Sequence, residues 1–134
     1  MPYNSLRNWV EAQYASPKDS AGNQVWRLAS EEDWKTLIRN VCGMEVAGLN
    51  LKASDCVNGI CPGGIDKFGF GLRLFGFETP DGKSVDSGEY GYWWTSTEAE
   101  WNSGARYVSM GLDDGVSFGW GNKENRLLVM CVKN

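Results

Sequence analysis

Apolar residues recur at helical intervals in two stretches near the N-terminus. In the first stretch they are Leu6, Trp9, Val10 and Tyr14, which predicts a short helix facing the core. The second and stronger stretch begins at Ser30, a favourable N-cap residue, and the carboxylate of Asp33 follows three positions later as in a capping box. Its apolar face consists of Trp34, Leu37, Ile38 and Val41. A helix over residues 30–41 is therefore predicted, and Gly43 is expected to end it.

From residue 92 onward the pattern becomes that of strands. Residues 92–97 are aromatic or β-branched, and residues 107–112 and 116–120 alternate between apolar and polar. Asp113-Asp114-Gly115 separates the last two stretches, which predicts a hairpin with one apolar face. The unbroken apolar run 127–132 is typical of a strand buried on both sides. The side chains expected to point inward, against the helix, are Trp93, Val108, Met110, Phe118 and Val129.

Between these regions, residues 44–92 are rich in glycine and irregular. Within them, the large apolar residues Phe68, Phe70, Leu72 and Leu74 alternate with Gly69, Gly71 and Arg73, which predicts a half-buried strand. A chain of 134 residues has the size of one ordinary domain. The pattern as a whole therefore predicts a single α+β domain over residues 1–134.

Composition and charge remove several classes of function. The net charge is −4 and no block of Lys or Arg exists, so nucleic acid is not expected as a partner. The apolar runs are far shorter than a membrane span, so direct membrane insertion is not expected. The chain contains no histidine, which excludes Ser-His-Asp and Cys-His nucleophiles and most catalytic zinc sites. We therefore expect a protein that is not an enzyme and needs no cofactor.

The four cysteines allow three disulfide pairings. Cys56 and Cys61 bracket a plausible turn, Val57-Asn58-Gly59-Ile60, so a local bridge between them is predicted. Cys42 and Cys131 then form either a second bridge or a pair of buried thiols. No pair has the C-x-x-C spacing of a four-cysteine zinc site.

Four segments resemble, in the same order, those of a known family. Residues 25–34 (VWRLASEEDW) resemble its W-R-L-P-[ST]-x-x-E-W opening, and Phe68-Gly69-Phe70 with the later Gly76 resembles its GFSALPGG region. Residues 92–97 (YWWTST) resemble YWWSST, and residues 130–134 (MCVKN) resemble RCVKD. The family is the Fibrobacter succinogenes major paralogous domain, common in secreted and surface proteins of Bacteroidetes-type bacteria. The resemblance covers residues from about 25 to 134.

This resemblance implies a C-type-lectin-like fold, with one or two helices packed on short, mostly antiparallel sheets and long Gly-rich loops. The family is similar to the variable proteins of diversity-generating retroelements and to formylglycine-generating enzymes. The sequence departs from the pattern at Ala29, where the family usually has Pro, and at Arg126-Leu127-Leu128, where it often has Gly-Phe-Ser. The Glu-Pro-Asn and Trp-Asn-Asp motifs of calcium-dependent lectins are missing. Formylglycine-generating enzymes use a C-terminal copper-binding cysteine pair, whereas Cys56 and Cys61 lie in the middle of this chain.

The polar segment 98–104 is the first candidate for a binding site. Trp101 would be its aromatic anchor, with Asn102 and Ser103 as adaptable hydrogen-bonding residues. The alternative is a solvated loop whose Trp101 folds back on the core.

The outer face of the predicted hairpin is the second candidate. Alternation places Tyr107, Ser109 and Ser117 on the face opposite the apolar residues, and Arg106 flanks them. The alternative is an ordinary solvated sheet face. The acidic residues Asp113, Asp114 and Glu124 suggest a calcium site or a pair of catalytic carboxylates, but the first two are more simply explained by a turn.

Together these features predict a ligand-binding or adhesion module of a bacterial surface or phage protein, with a protein or glycan as its partner. The resemblance includes diversified variable proteins, whose ligand surface lies in the C-terminal part of the fold. A structural spacer domain of a larger surface protein is the main alternative, and an oxidoreductase of the formylglycine-generating type is the second.

Overall fold

A computed structural model of the chain describes residues 2–14, 18–100 and 103–133. Its helices are α1 (Trp9–Gln13), α2 (Glu31–Asn40) and α3 (Ala47–Leu51). Its strands are β1 (Pro2–Arg7), β2 (Trp26–Leu28), β3 (Phe77–Glu78), β4 (Ser84–Val85), β5 (Gly91–Glu98), β6 (Gly104–Met110), β7 (Val116–Asn122) and β8 (Leu127–Lys133). Few helices and many strands make this an α+β arrangement, which confirms the predicted class.

The main sheet has the strand order β1-β8-β5-β6-β7, and β2 also pairs with β8. The pairings are antiparallel except for β5 with β8, which is parallel and places Trp93 opposite Leu128. The predicted hairpin is formed by β6 and β7, and its register is regular from the Met110–Val116 pair to the pair at its other end, Gly104 with Asn122. Strands β3 and β4 form a separate small sheet.

Helix α2 begins where its capping residues predict. The Ser30 hydroxyl accepts a hydrogen bond from the Asp33 N–H at 3.1 Å, and the Asp33 carboxylate accepts one from the Ser30 N–H at 2.8 Å. Arg27 on β2 donates two further hydrogen bonds to this carboxylate. These bonds lower the pKa of Asp33 to about 2, against the opposing effect of burial. The apolar face of the helix packs on the core through Trp34 and Ile38, which are both buried.

The main sheet is covered on both of its faces. Because side chains alternate along a strand, the neighbours Trp93 and Trp94 point to opposite faces, and both are fully buried. The face covered by α2 and α3 carries a core that includes Trp34, Ile38, Leu51, Trp93, Val108, Met110 and Leu128. The second face carries a core with Trp9, Ala12, Leu28, Trp94, Ala105, Leu127, Val129 and Cys131.

This double coverage corrects part of the predicted core. Trp93, Val108 and Met110 are buried against α2 as predicted, and Phe118 is partly buried there. Val129 is buried as well, but it belongs to the second core. The unbroken apolar run around Val129 has no alternation, so its pattern holds no information about which face each residue occupies.

Two elements differ from the sequence-based expectation. The predicted N-terminal helix is shorter, because Leu6 lies in β1 and α1 begins only after the cap residue Asn8. Val10 and Tyr14 are exposed, and the buried residues of α1 are Trp9 and Ala12. The strand predicted over residues 68–74 is absent from this described segment, which is irregular. Gly69 and Gly71 adopt positive φ angles of 77° and 59°, which turn the chain instead of extending it.

A disulfide and a buried lysine support the irregular region. Cys56 and Cys61 are bonded to each other across the turn that the sequence predicts. Cys42 is exposed and Cys131 is buried, and they do not form a second disulfide. Lys52 is fully buried, and its ammonium group donates hydrogen bonds to the carbonyl oxygens of Gly111 and Asp113, the latter at 2.7 Å. The β6–β7 turn is thereby fixed to the segment that follows α3.

Candidate ligand-binding surfaces

The residues that the sequence groups into one binding patch lie on two different faces. Tyr107 and Ser109 stand on the second face of β6, opposite Gly119 and Ser117 of β7. Arg106 is the neighbour of Tyr107 in a regular strand, so it points to the opposite face, where its cross-strand partner is Trp120. The predicted patch is therefore divided by the sheet, and Arg106 does not flank Tyr107 on one surface.

The loop between β5 and β6 lies beside Arg106. Trp101 and Asn102 fall outside the described residues, so their roles remain predictions. Ser103 is exposed, and its carbonyl oxygen accepts a hydrogen bond from the Lys123 N–H at 3.0 Å. The Ala99 N–H donates to the Gly104 carbonyl at 3.0 Å. These two bonds fix the base of the loop to the ends of β6 and β7.

Next to this loop is a cleft of about 450 Å³, which we call the loop cleft. Its lining residues are Glu31, Thr97, Glu98, Ala99, Glu100, Arg106 and Trp120. Trp120 has 51% of its surface exposed, the most of any described tryptophan. The loop cleft thus combines a large aromatic surface with carboxylates and a guanidinium group.

Ion pairs order the charged side chains of the loop cleft. An Nη2 atom of Arg106 lies 3.2 Å from Oε1 of Glu31, at the start of α2. The Glu31 N–H donates to the hydroxyl of Thr97 on β5 at 3.1 Å. On the far side, the ammonium group of Lys123 lies 2.8 Å from Glu98. Glu100 is exposed, and the lining holds three carboxylates and one guanidinium, so the loop cleft carries an excess of negative charge.

Buried hydrogen bonds join the strands and α1 around Thr95, at the base of the loop cleft. Thr95 is fully buried, and its hydroxyl donates to the Arg106 carbonyl at 2.9 Å. Two tryptophan N–H groups donate to backbone carbonyls at 2.9 Å, that of Trp9 to Thr95 and that of Trp94 to Arg7. All three bonds are accepted by backbone carbonyls, so none of them depends on a side chain at the rim of the loop cleft.

Tyr107 lies in a second, smaller cleft of about 150 Å³ on the other face, which we call the aromatic cleft. Its lining residues are Phe77, Tyr92, Tyr107, Trp120, Gly121, Asn125 and Leu127. Burial raises the pKa of Tyr107. Burial also raises the pKa of Tyr92, and the neighbouring Asp86 carboxylate raises that pKa further. Both hydroxyls are therefore neutral at physiological pH. Ser109 is half-buried beside this cleft, and Ser117 is exposed.

The sequence does not identify two residues of the loop cleft, Trp120 and Glu31. Trp120 follows Val116 and Phe118 at intervals of two residues, so strand alternation assigns its side chain to the core face. It is half-exposed because it stands at the far end of the hairpin on β7, which ends the strand order of the main sheet. The hairpin register, counted from the turn at Asp113, would have placed it opposite Arg106. Glu31 fits a helix start, but its pairing with Arg106 spans 75 positions and leaves no local signal.

Neither a membrane-spanning helix nor a metal-binding group of side chains is found in the described ranges. No helix there is long and apolar enough to cross a membrane. No three His, Cys, Asp or Glu residues there are grouped so that they could hold a metal ion.

Comparison with known proteins identifies the family of this chain. No curated protein and no solved structure matches it. The family model described as the Fibrobacter succinogenes major domain matches residues 3–133, which extends the resemblance seen in the sequence to nearly the whole chain. The chain therefore belongs to the Fibrobacter succinogenes major domain family.

Proposed function

We propose that this domain is a ligand-binding or adhesion module with a C-type-lectin-like fold, and that its ligand surface is the loop cleft. Its partner would be a protein or a glycan, and it would act on a bacterial surface or a phage particle rather than as an enzyme. The observation that carries the proposal is the half-exposed Trp120 beside Arg106, in a cleft at the end of a buried sheet. Trp and Arg are the residue types that most often dominate the energy of a binding interface.

The setting of Trp120 supports binding over a purely structural role. A core tryptophan is normally shielded from water, as Trp34, Trp93 and Trp94 are in this protein. Trp120 instead leaves about half of its surface in water, next to ionisable groups that can fix the orientation of a partner. Burial of this surface by a ligand would release the water around it and stabilise the complex.

The neighbouring loop adds variability to this rigid frame. The segment between β5 and β6 includes Trp101, Asn102 and Ser103, a composition that suits adaptable recognition. If the protein is a diversified variable protein, substitutions in this loop would alter the ligand without unfolding the domain. A reverse-transcriptase gene and a template repeat near the encoding DNA would support this form of the proposal.

The experiment is to measure binding of the labelled domain to a glycan array and to purified surface proteins of candidate host cells, before and after substitution. Trp120→Ala should weaken binding by roughly 2 kcal/mol or more, and Arg106→Ala should weaken it as well. Leu112→Ala is the matched control, because Leu112 is a large apolar residue that is 60% exposed but lies outside the loop cleft. It should leave binding unchanged.

The outcome separates the proposal from its main alternative. If the domain is a structural spacer, no array component will bind in a way that depends on Trp120 or Arg106. If Trp120→Ala instead lowers the melting temperature by as much as a core substitution does, Trp120 is a structural residue. Trp101→Ala tests the loop in the same assay and is expected to weaken binding.

A further inference from the structure

Three of the four aromatic side chains that line the aromatic cleft pack together in one continuous group. The rings of Phe77 and Tyr92 are 5.3 Å apart at 89°, and those of Tyr92 and Tyr107 are 5.3 Å apart at 88°. The exposed ring of Tyr90 extends the group, 6.1 Å from that of Tyr92. These edge-to-face contacts leave each of the three lining rings partly exposed instead of sealing them in a core.

Strand β7 leaves room for the ring of Tyr107. A Cβ atom on Gly119 would lie 2.8 Å from three atoms of the Tyr107 side chain, including its hydroxyl oxygen. Glycine at this position therefore lets the Tyr107 ring lie flat across β7. Tyr92 is held from the other side, because its hydroxyl donates to the Asp86 carboxylate at 2.7 Å. The rings are thus positioned before any ligand arrives.

The polar groups of the aromatic cleft are available to a ligand. Among the described residues, neither the Tyr107 hydroxyl nor the side-chain amide of Asn125 makes a hydrogen bond. A hydroxyl can both donate and accept, and an amide offers two donors and one acceptor. Both groups border a cavity of about 150 Å³ whose other walls are aromatic or aliphatic.

No side chain lining the aromatic cleft carries a charge. Three ionised groups next to lining residues already have partners. Glu78 and Arg126 form an ion pair at 2.6 Å, and Asp86 accepts from Tyr92. A ligand with a phosphate, carboxylate or ammonium group would therefore lose hydration at this site without gaining a counter-charge.

We propose that the aromatic cleft binds a neutral saccharide. A pyranose ring has one face of C–H groups, which can pack on the rings of Tyr92 and Tyr107, and a rim of hydroxyls, which can pair with Tyr107 and Asn125. This site is separate from the loop cleft and does not depend on its proposed function. Trp120 borders both clefts, so the variants that test this site are chosen away from it.

The experiment is an NMR titration of the whole domain with neutral hexasaccharides of glucose, mannose, galactose and xylose, with hexagalacturonate as the charged comparison. At least one neutral ligand should shift the ring resonances of Tyr92 and Tyr107, with a dissociation constant of about 1 mM or lower. Tyr107→Ala should weaken that binding at least ~10-fold. Tyr14→Ala, which alters a tyrosine that is 81% exposed elsewhere, should leave binding unchanged.

Tyr107→Phe separates ligand binding from folding, because it keeps the edge-to-face contact with Tyr92 and removes only the hydroxyl. It should keep the melting temperature of the native domain and weaken saccharide binding by about threefold. The proposal is overturned if no neutral ligand shifts these resonances at ~10 mM, if hexagalacturonate binds as tightly, or if both Tyr107 variants bind like the native domain. Loss of binding in Arg106→Ala alone would concern the loop cleft, because Arg106 does not line the aromatic cleft.

Discussion

The two faces of strand β6 differ in how far they are buried and in the chemistry of their exposed parts. On the α2 face, Val108 and Met110 lie in a dry aliphatic and aromatic core, and exposure begins only where Arg106 meets Glu31. On the other face, Ala105 is buried, whereas Tyr107 and Ser109 are only partly covered. The first face gives a charged cleft at the end of the strand, and the second gives an uncharged aromatic cleft along it.

This difference follows from what covers each face. A ten-residue helix lies over the α2 face, and its capping network with Arg27 fixes it against the sheet. Over the second face lie the five-residue helix α1, which covers Trp94 but does not line the aromatic cleft, and the two-residue strand β3, whose Phe77 packs on Tyr92. Because these elements are short, part of the second face borders on water. Tyrosine suits such positions, since its ring is apolar and its hydroxyl is polar. Stability and recognition can therefore be tested separately on the two faces.

The largest contrast is expected between two neighbouring residues of β5. Trp93→Ala should lower the free energy of unfolding by ~3–5 kcal/mol, because it opens a cavity against Trp34 in the α2 core. Tyr92→Ala should cost about 2 kcal/mol, since Tyr92 is only half-buried and loses one hydrogen bond to Asp86. Urea denaturation of both variants measures the difference, and equal costs would mean that the second face is as tightly packed as the first.

A smaller contrast is expected between two glycines of β7. Gly119→Ala should destabilise the domain by about 1 kcal/mol or more and displace the Tyr107 ring, because the new methyl group would overlap it. At Gly121 the nearest atoms to a Cβ are 3.4 Å away, an ordinary contact. Gly121→Ala should therefore stay within about 0.5 kcal/mol of the native domain. The tyrosine ring resonances should move in the first variant and not in the second, whatever the effect on saccharide binding.

The sequence predicts the α2 face better than the other, for a physical reason. The capping residues Ser30 and Asp33 and the spacing from Trp34 onward are local signals, and the resulting helix buries the face of β6 with Val108 and Met110. Alternation also puts Tyr107 on the opposite face, but it cannot tell whether that face is covered. Coverage of Tyr107 depends on Phe77 of β3 and Leu127 of β8, which lie outside the hairpin. Hence Tyr107 was expected on an open patch, and it lies in a half-covered cleft.

The division of the predicted binding residues has a similar origin. Grouping Arg106 with Tyr107 treats nearness in sequence as nearness in space, whereas a regular strand sends adjacent side chains to opposite faces. The alternation of Phe68, Phe70, Leu72 and Leu74 failed as a strand signal because the intervening glycines accept positive φ angles as easily as extended ones. The family resemblance, in contrast, depends on the order of several motifs and is confirmed over residues 3–133.

The capping network that holds α2 on its face should make stability depend on pH. The pKa of Asp33 is about 2 in the folded protein, and that of an unfolded aspartate is about 3.9. The stabilisation of the folded state by ionised Asp33 is therefore present above about pH 4 and is lost as the pH falls toward 2. Asp33→Asn should remove this dependence, so the difference in unfolding free energy between native and variant should shrink over that range. Ser30→Ala should cost ~1 kcal/mol at neutral pH. A difference that stays constant down to pH 2 would contradict the assigned role of Asp33.

The smallest expected effect concerns the ion pair at the end of the α2 face. Arg106 and Glu31 lie in the loop cleft with side-chain exposures of 31% and 17%, so water weakens the attraction between them. A double-mutant cycle with Arg106→Met and Glu31→Gln should therefore give a coupling free energy of only ~0.2–1 kcal/mol. Salt should reduce that coupling further, because the pair is accessible to counter-ions. A weak coupling would agree with a cleft whose charges serve recognition, since they could then vary at little cost to folding. A coupling above about 3 kcal/mol, the size found for buried pairs, would instead make Arg106 part of the structural frame. The loop cleft would then have to bind through Trp120 and the loop alone, and the contrast between the two faces would be one of shape rather than of charge.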